Sequence, residues 1–160
     1  RDAPDSADST QLVSVTMFEP SDGWNIVLTT VDPAIPQDVA IVWVANVPFA
    51  PEESTTGFPV NTIRELPADG IVMTVIGPRE YTGETIFPVT EFPLTVDQGL
   101  CNFDQYEGQL APHVTQCLID TMVNGKLLNV NVWFGTNTPS AALYEEADQE
   151  LARLRIPQDD

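Results

Sequence analysis

Positive charge is what this chain has least of. Its 160 residues hold one lysine, Lys126, and five arginines against 24 Asp plus Glu, for a formal charge of −18. A protein that binds nucleic acid needs Lys and Arg to displace counterions from phosphates, so that class is excluded, and an anionic membrane surface repels the chain for the same reason. Histidine is nearly absent too. The single imidazole, His113, removes HExxH zinc sites, His-rich metal centres and mechanisms that use two imidazoles. No Gly-rich phosphate loop and no G-x-S-x-G elbow is present. No apolar run approaches the roughly 20 residues that cross a bilayer. Long helices have little room among 14 prolines.

What remains is a composition of 42% hydrophobic and 19% charged residues, which describes a globular domain with a core. The domain is expected over 11–156, with 1–10 as a polar linker and 157–160 as a tail. A chain that opens on Arg1 in such a tether leads us to expect a signal or membrane anchor ahead of it and an extracytoplasmic position, secreted or tethered to the cell envelope. The two cysteines, Cys101 and Cys117, close a loop for which a disulfide is worth about 3 kcal/mol in the chain-entropy model. An exported chain favours that bond, and two buried free thiols are the alternative.

Short apolar stretches separated by Pro, Gly, Asp and Asn predict strands at 12–18, 24–31, 39–46, 71–76, 92–96, 113–123 and 126–136. The strongest local signal is Asn124-Gly125, the pair that a two-residue type I′ hairpin demands. That turn sets Val123 opposite Lys126, Thr121 opposite Leu128, Ile119 opposite Val130, Cys117 opposite Val132 and Thr115 opposite Phe134 on a core face. Gln116, Leu118, Asp120, Asn129, Asn131 and Trp133 fall on the other, and a one-residue slip would invert the two. After Gly135 the period changes. Thr138 as N-cap, Pro139 at the first helical position and the stripe Leu143, Ala147, Leu151, Leu154 predict a helix over 139–154 packed on the sheet, with Glu145 and Glu146 near its start and Arg153 and Arg155 near its end. A shorter helical turn is expected over 61–66. The fold class expected is mainly β, on the α+β border: antiparallel sheets, sandwich-like, with one C-terminal helix.

Few residues offer chemistry. His113 and Cys117 would share a face of a helix, but in a strand they lie about 13 Å apart at roughly 3.3 Å per residue, too far to share a tetrahedral metal. Asp97, Asn102, Asp104 and Glu107 concentrate oxygen ligands in a Gly-punctuated loop, as Ca²⁺ would require, although the spacing is not that of an EF-hand. No other cofactor is expected. Glu84, Glu91 and Asp97 are candidates for paired carboxylates in a hydrolase, a condition that a chain this acidic meets easily. The loop over 46–59 is longer than most connections and carries Phe49 and Phe58 stiffened by prolines, while 79–92 adds Tyr81, Phe87 and Phe92. Phe49, Phe58, Tyr81 and Phe87 are the candidate binding residues, with a satellite core under the loops as the alternative.

Three stretches carry a likeness: Val42-Trp43-Val44-Ala45-Asn46-Val47-Pro48-Phe49, Leu66-Pro67-Ala68-Asp69-Gly70-Ile71, and Val132-Trp133-Phe134-Gly135-Thr136 with Pro139-Ser140 and the helix ending Glu150-Leu151-Ala152-Arg153-Leu154. Over about 24–156 the chain resembles an uncharacterised family of bacterial secreted or envelope-anchored domains. The resemblance implies an extracytoplasmic position, commonly behind an N-terminal anchor, and carries no active residues across. The tether, the absent catalytic signatures and the long 46–59 loop lead us to expect recognition of a protein or glycan of the envelope, through the proline-rich aromatic loops and without catalysis. A carboxylate-dependent hydrolase, with or without Ca²⁺, is the alternative. The acidic composition also suits a high-salt habitat, where self-repulsion is screened.

Overall fold

A computed structural model describes residues 20–28, 41–53, 58–89, 91–98, 100–102 and 113–155. The expected linker at 1–10, the strand at 12–18 and the tail at 157–160 lie outside these residues. Six strands form one antiparallel sheet: β1 (Asn25–Leu28), β2 (Ile41–Ala45), β3 (Ile71–Arg79), β4 (Leu100–Asn102), β5 (Thr115–Val123) and β6 (Lys126–Phe134). Their order across it is β1-β2-β3-β6-β5-β4. In chain order the first three strands step from one edge to the centre, and the last three step to the centre from the other edge. They meet along β3 and β6.

The hairpin forms in the register that Asn124-Gly125 dictates, from Val123 opposite Lys126 to Thr115 opposite Phe134. Asn124 and Gly125 take the φ values of +52° and +78° that the turn needs. One face of the sheet presents Val42, Val44, Ile71, Met73, Val75, Cys117, Ile119, Leu128, Val130, Val132 and Phe134 to α2 (Ala141–Leu151), which packs Leu143, Ala147 and Leu151 on them, with Leu154 following. The helix is shorter than expected at both ends. Ser140, not Thr138, caps it, its hydroxyl accepting from Leu143 N at 3.1 Å, so Pro139 precedes the cap. Arg153 lies beyond the last turn and reaches back to Glu150 at 4.0 Å. Glu150 is buried and accepts from Ser21 N at 2.8 Å and Ser21 Oγ at 2.6 Å, which fastens the approach to β1 onto the helix.

The described residues hold one sheet, so the layer facing it is the helix and the expected second sheet of a sandwich is not seen among them. The opposite face is also covered. Ala45, Val72, Val114 and Trp133 pack with Ile63 and Leu66 in a second core. That cover is built by the short helix α1 (Val60–Arg64), close to the turn expected at 61–66. Glu53 caps it with both oxygens, accepting from Asn61 N at 2.8 Å and Thr62 N at 2.7 Å. Asn46 ties the same region together, accepting from Ile71 N at 2.7 Å and donating to Asp69 O at 3.1 Å. Gly135 lies so close to this turn that a Cβ there would stand 1.8 Å from Pro67 O, which only glycine avoids.

The segment 92–96 is not a strand. Pro93 can donate no ladder bond, and Val96 N donates to Asp148 Oδ1 at 2.8 Å, so Leu94 and Val96 enter the first core from an irregular stretch that ends in a 3-10 turn at Val96–Gln98. β4 then crosses part of what the sequence suggested was an irregular calcium loop.

Candidate functional site

The expected binding residues fall into two places. Phe49 and Phe58 are half-buried in the cover of the second core, Phe49 tilted on Trp43 at 5.8 Å and Phe58 edge-on to Trp133 at 5.1 Å. They pack as the satellite core does. Tyr81 and Phe87 instead meet each other edge-to-face at 5.1 Å within an arm over 80–89. A Cβ on Gly83 would stand 2.5 Å from the Tyr81 hydroxyl, so the ring lies folded across the glycine. The far leg of the arm is fixed to β5 where Pro88 O accepts from Met122 N at 2.9 Å and Thr121 Oγ1 at 3.1 Å. On either side of Phe87-Pro88, Ile86 is 95% exposed and Val89 83% exposed. Glu80, Glu84 and Glu91 are exposed around them. Sequence reasoning singled out the rings and missed the two aliphatics, although Ile86-Phe87-Pro88-Val89 is an apolar run between acids.

The acidic loop is only partly visible. Asp104 and Glu107 lie outside the described residues, as does the Asn102 side chain. Asp97 sits on the 3-10 turn, exposed, its carboxylate accepting from Thr95 Oγ1. Among the described residues no group of three or more His, Cys, Asp or Glu could hold a metal ion. Asp97 instead lines an open cleft of about 510 Å³ with Val96, Cys101, Ala141, Tyr144, Glu145 and Asp148. Desolvation pushes the Asp148 carboxyl above its ordinary range; the hydrogen bond from Val96 N opposes this and the charge of Asp97 adds to it. Glu84 and Glu91 do not line this cleft. Asp148 joins Asp97 across 51 positions of sequence, so nothing local marked it among so many acids.

Cys117 is bonded to Cys101, directly opposite it between β4 and β5. No thiolate is left to pair with His113, which is exposed, its Nε2 3.3 Å from Leu66 O. The second face also carries a polar row: Arg79 donates to Asn129 Oδ1, Asn129 to Asp120, and Gln116 Nε2 to Asn131 Oδ1 at 2.8 Å. No helix among the described residues is long and apolar enough to cross a membrane. No family model, curated protein or solved structure matches this chain.

Proposed function

We propose that this chain is a non-catalytic, extracytoplasmic recognition domain whose partner is a protein of the cell envelope. The observation that carries the reading is the arm over 80–89, which holds Ile86 and Val89 out in solvent on either side of Phe87-Pro88, where Phe87 packs on Tyr81 and Pro88 O is bonded to β5. An aliphatic tip held out without cover costs solubility unless something covers it. A glycan is the poorer fit. Sugars stack on open aromatic faces, and here Tyr81 and Phe87 are spent on each other. Glu80, Glu84 and Glu91 ask for a partner that rims an apolar hollow with Lys or Arg. The disulfide suits an oxidising compartment, which supports the proposed location.

The test places a photo-crosslinking residue at position 86, and separately at the exposed control position Glu52, in the chain expressed in its own cells. One discrete protein adduct from position 86 that is lost on Val89→Ser, with none from position 52, is the expected result. Adducts that are alike at both positions, or absent at 86, overturn it, and binding on a glycan array that survives I86S/V89S turns the reading to a sugar. Phe58→Ala should lower the melting temperature and leave the adduct in place.

One observation favours the hydrolase reading: Asp148, with its raised pKa, stands beside Asp97 in the cleft. There Asp148 would deliver a proton and Asp97 act as the second carboxylate. Turnover of chromogenic glycosides or esters that disappears in Asp148→Asn would establish it; turnover unchanged by that substitution would remove it.

A further inference from the structure

The covered second face of the sheet holds three polar atoms for which the fold supplies no protein partner. Thr74 Oγ1, Gln116 Oε1 and Trp133 Nε1 are sealed from solvent and make no hydrogen bond. Thr74 and Trp133 are fully buried and Gln116 is 4% exposed. Register places the three side chains on one face, in two adjacent cross-strand rows. One cross-strand row runs Trp43, Thr74, Asn131, Leu118, and the adjacent row runs Ala45, Val72, Trp133, Gln116. The bond from Gln116 Nε2 to Asn131 Oδ1 links the rows and leaves Gln116 Oε1 turned away from Asn131.

The chemistry of this set is specific. Trp133 can only donate, Gln116 Oε1 can only accept, and the Thr74 hydroxyl can do either. A cation would meet the indole N–H, and an anion would meet the lone pairs of the amide oxygen. The set calls for a small neutral molecule that accepts once and donates twice. Buried polar groups left unpaired are costly enough that native folds nearly always satisfy them, often through internal water making about three hydrogen bonds. We propose that an ordered water binds here, accepting from Trp133 Nε1–H and donating to Gln116 Oε1 and Thr74 Oγ1. Its exit is blocked by the cover that packs Phe58 on Trp133 and Phe49 on Trp43. The water therefore leaves only when that cover lifts, and its residence time reports the opening of the cover that carries Phe49 and Phe58.

The experiment is water-to-protein magnetisation transfer at the Trp133 indole N–H in the ¹⁵N-labelled full chain, compared between the wild type and the near-isosteric Thr74→Val. Direct dipolar transfer with the sign of a long-lived water is expected in both, weaker in T74V because two of three anchors remain. Transfer that vanishes in T74V came through the threonine hydroxyl and overturns the proposal. Absence of transfer in both proteins overturns it too, as does a crystal structure in which Gln116 Oε1 accepts directly from Trp133 Nε1.

Discussion

Breaking the Cys101–Cys117 bond should destabilise the fold by an amount that its position lets us work out. The cysteines are 16 residues apart, and a closed loop of that size removes about 10 cal/mol/K of entropy from the unfolded chain, or about 3 kcal/mol at 25 °C. For a chain of this length each kcal/mol moves the melting temperature by about 2–4 °C, so the loss should be about 6–12 °C. The clean perturbation is Cys101→Ser. Cys101 is exposed, so the serine costs little by itself, while Cys117 keeps its volume in the core. Calorimetry of the wild type, the reduced wild type and C101S should show the second and third melting together, well below the first. Titration of the unreduced, unfolded wild type should find no reactive thiol. A reduced protein that melts within about 2 °C of the oxidised one would refute the reasoning, because the unfolded chain would then gain little freedom from losing the bond.

Asp148 predicts a pH signature. Desolvation raises its folded pKa, so ionising it costs stability progressively as pH climbs from the unfolded pKa through the folded one, and the penalty is fully present above both. Asp148→Asn keeps an oxygen for Val96 N and removes that penalty; its melting temperature relative to wild type should therefore be higher at pH 7 than at pH 3, and a difference that does not change with pH would contradict the assignment. With a formal charge of −18, self-repulsion should relax as NaCl is added, so the melting temperature should rise between dilute and molar salt. A flat response would remove the basis of the high-salt habitat reading.

The hairpin and the C-terminal helix were legible because each rests on a local signal: a dipeptide that permits one turn fixes every pair from Val123–Lys126 to Thr115–Phe134, and a stripe near period four names the buried side of α2. The second core was not legible. Gln116 and Asn131 look like solvent positions on an alternating strand, yet they are buried on the face where Phe49, Phe58 and α1 fold back onto Trp133 and its neighbours from elsewhere in the chain. The same holds for 92–96, where apolar alternation suggested a strand and a side chain from α2 takes the backbone N–H that a ladder would use. Of the candidate sites, the rings were visible as residue types, but whether a ring packs inward, as Phe58 does, or braces an arm, as Phe87 does, depends on tertiary contacts. The cleft around Asp97 and Asp148 joins distant positions and has no signature in one dimension.

The strand order has a consequence for dissection of the molecule. Because β1, β2 and β3 are neighbours in space and in sequence, and β6, β5 and β4 likewise, a protease cut in the arm at 80–89 would yield two fragments, each a contiguous half-sheet. Among the described residues the only strand pairing that holds the halves to each other is the seam from Ile71 opposite Phe134 to Arg79 opposite Leu127. Such a chain is suited to two-piece complementation, in which separately produced halves, fused to any pair of interacting proteins, rebuild the sheet along that seam.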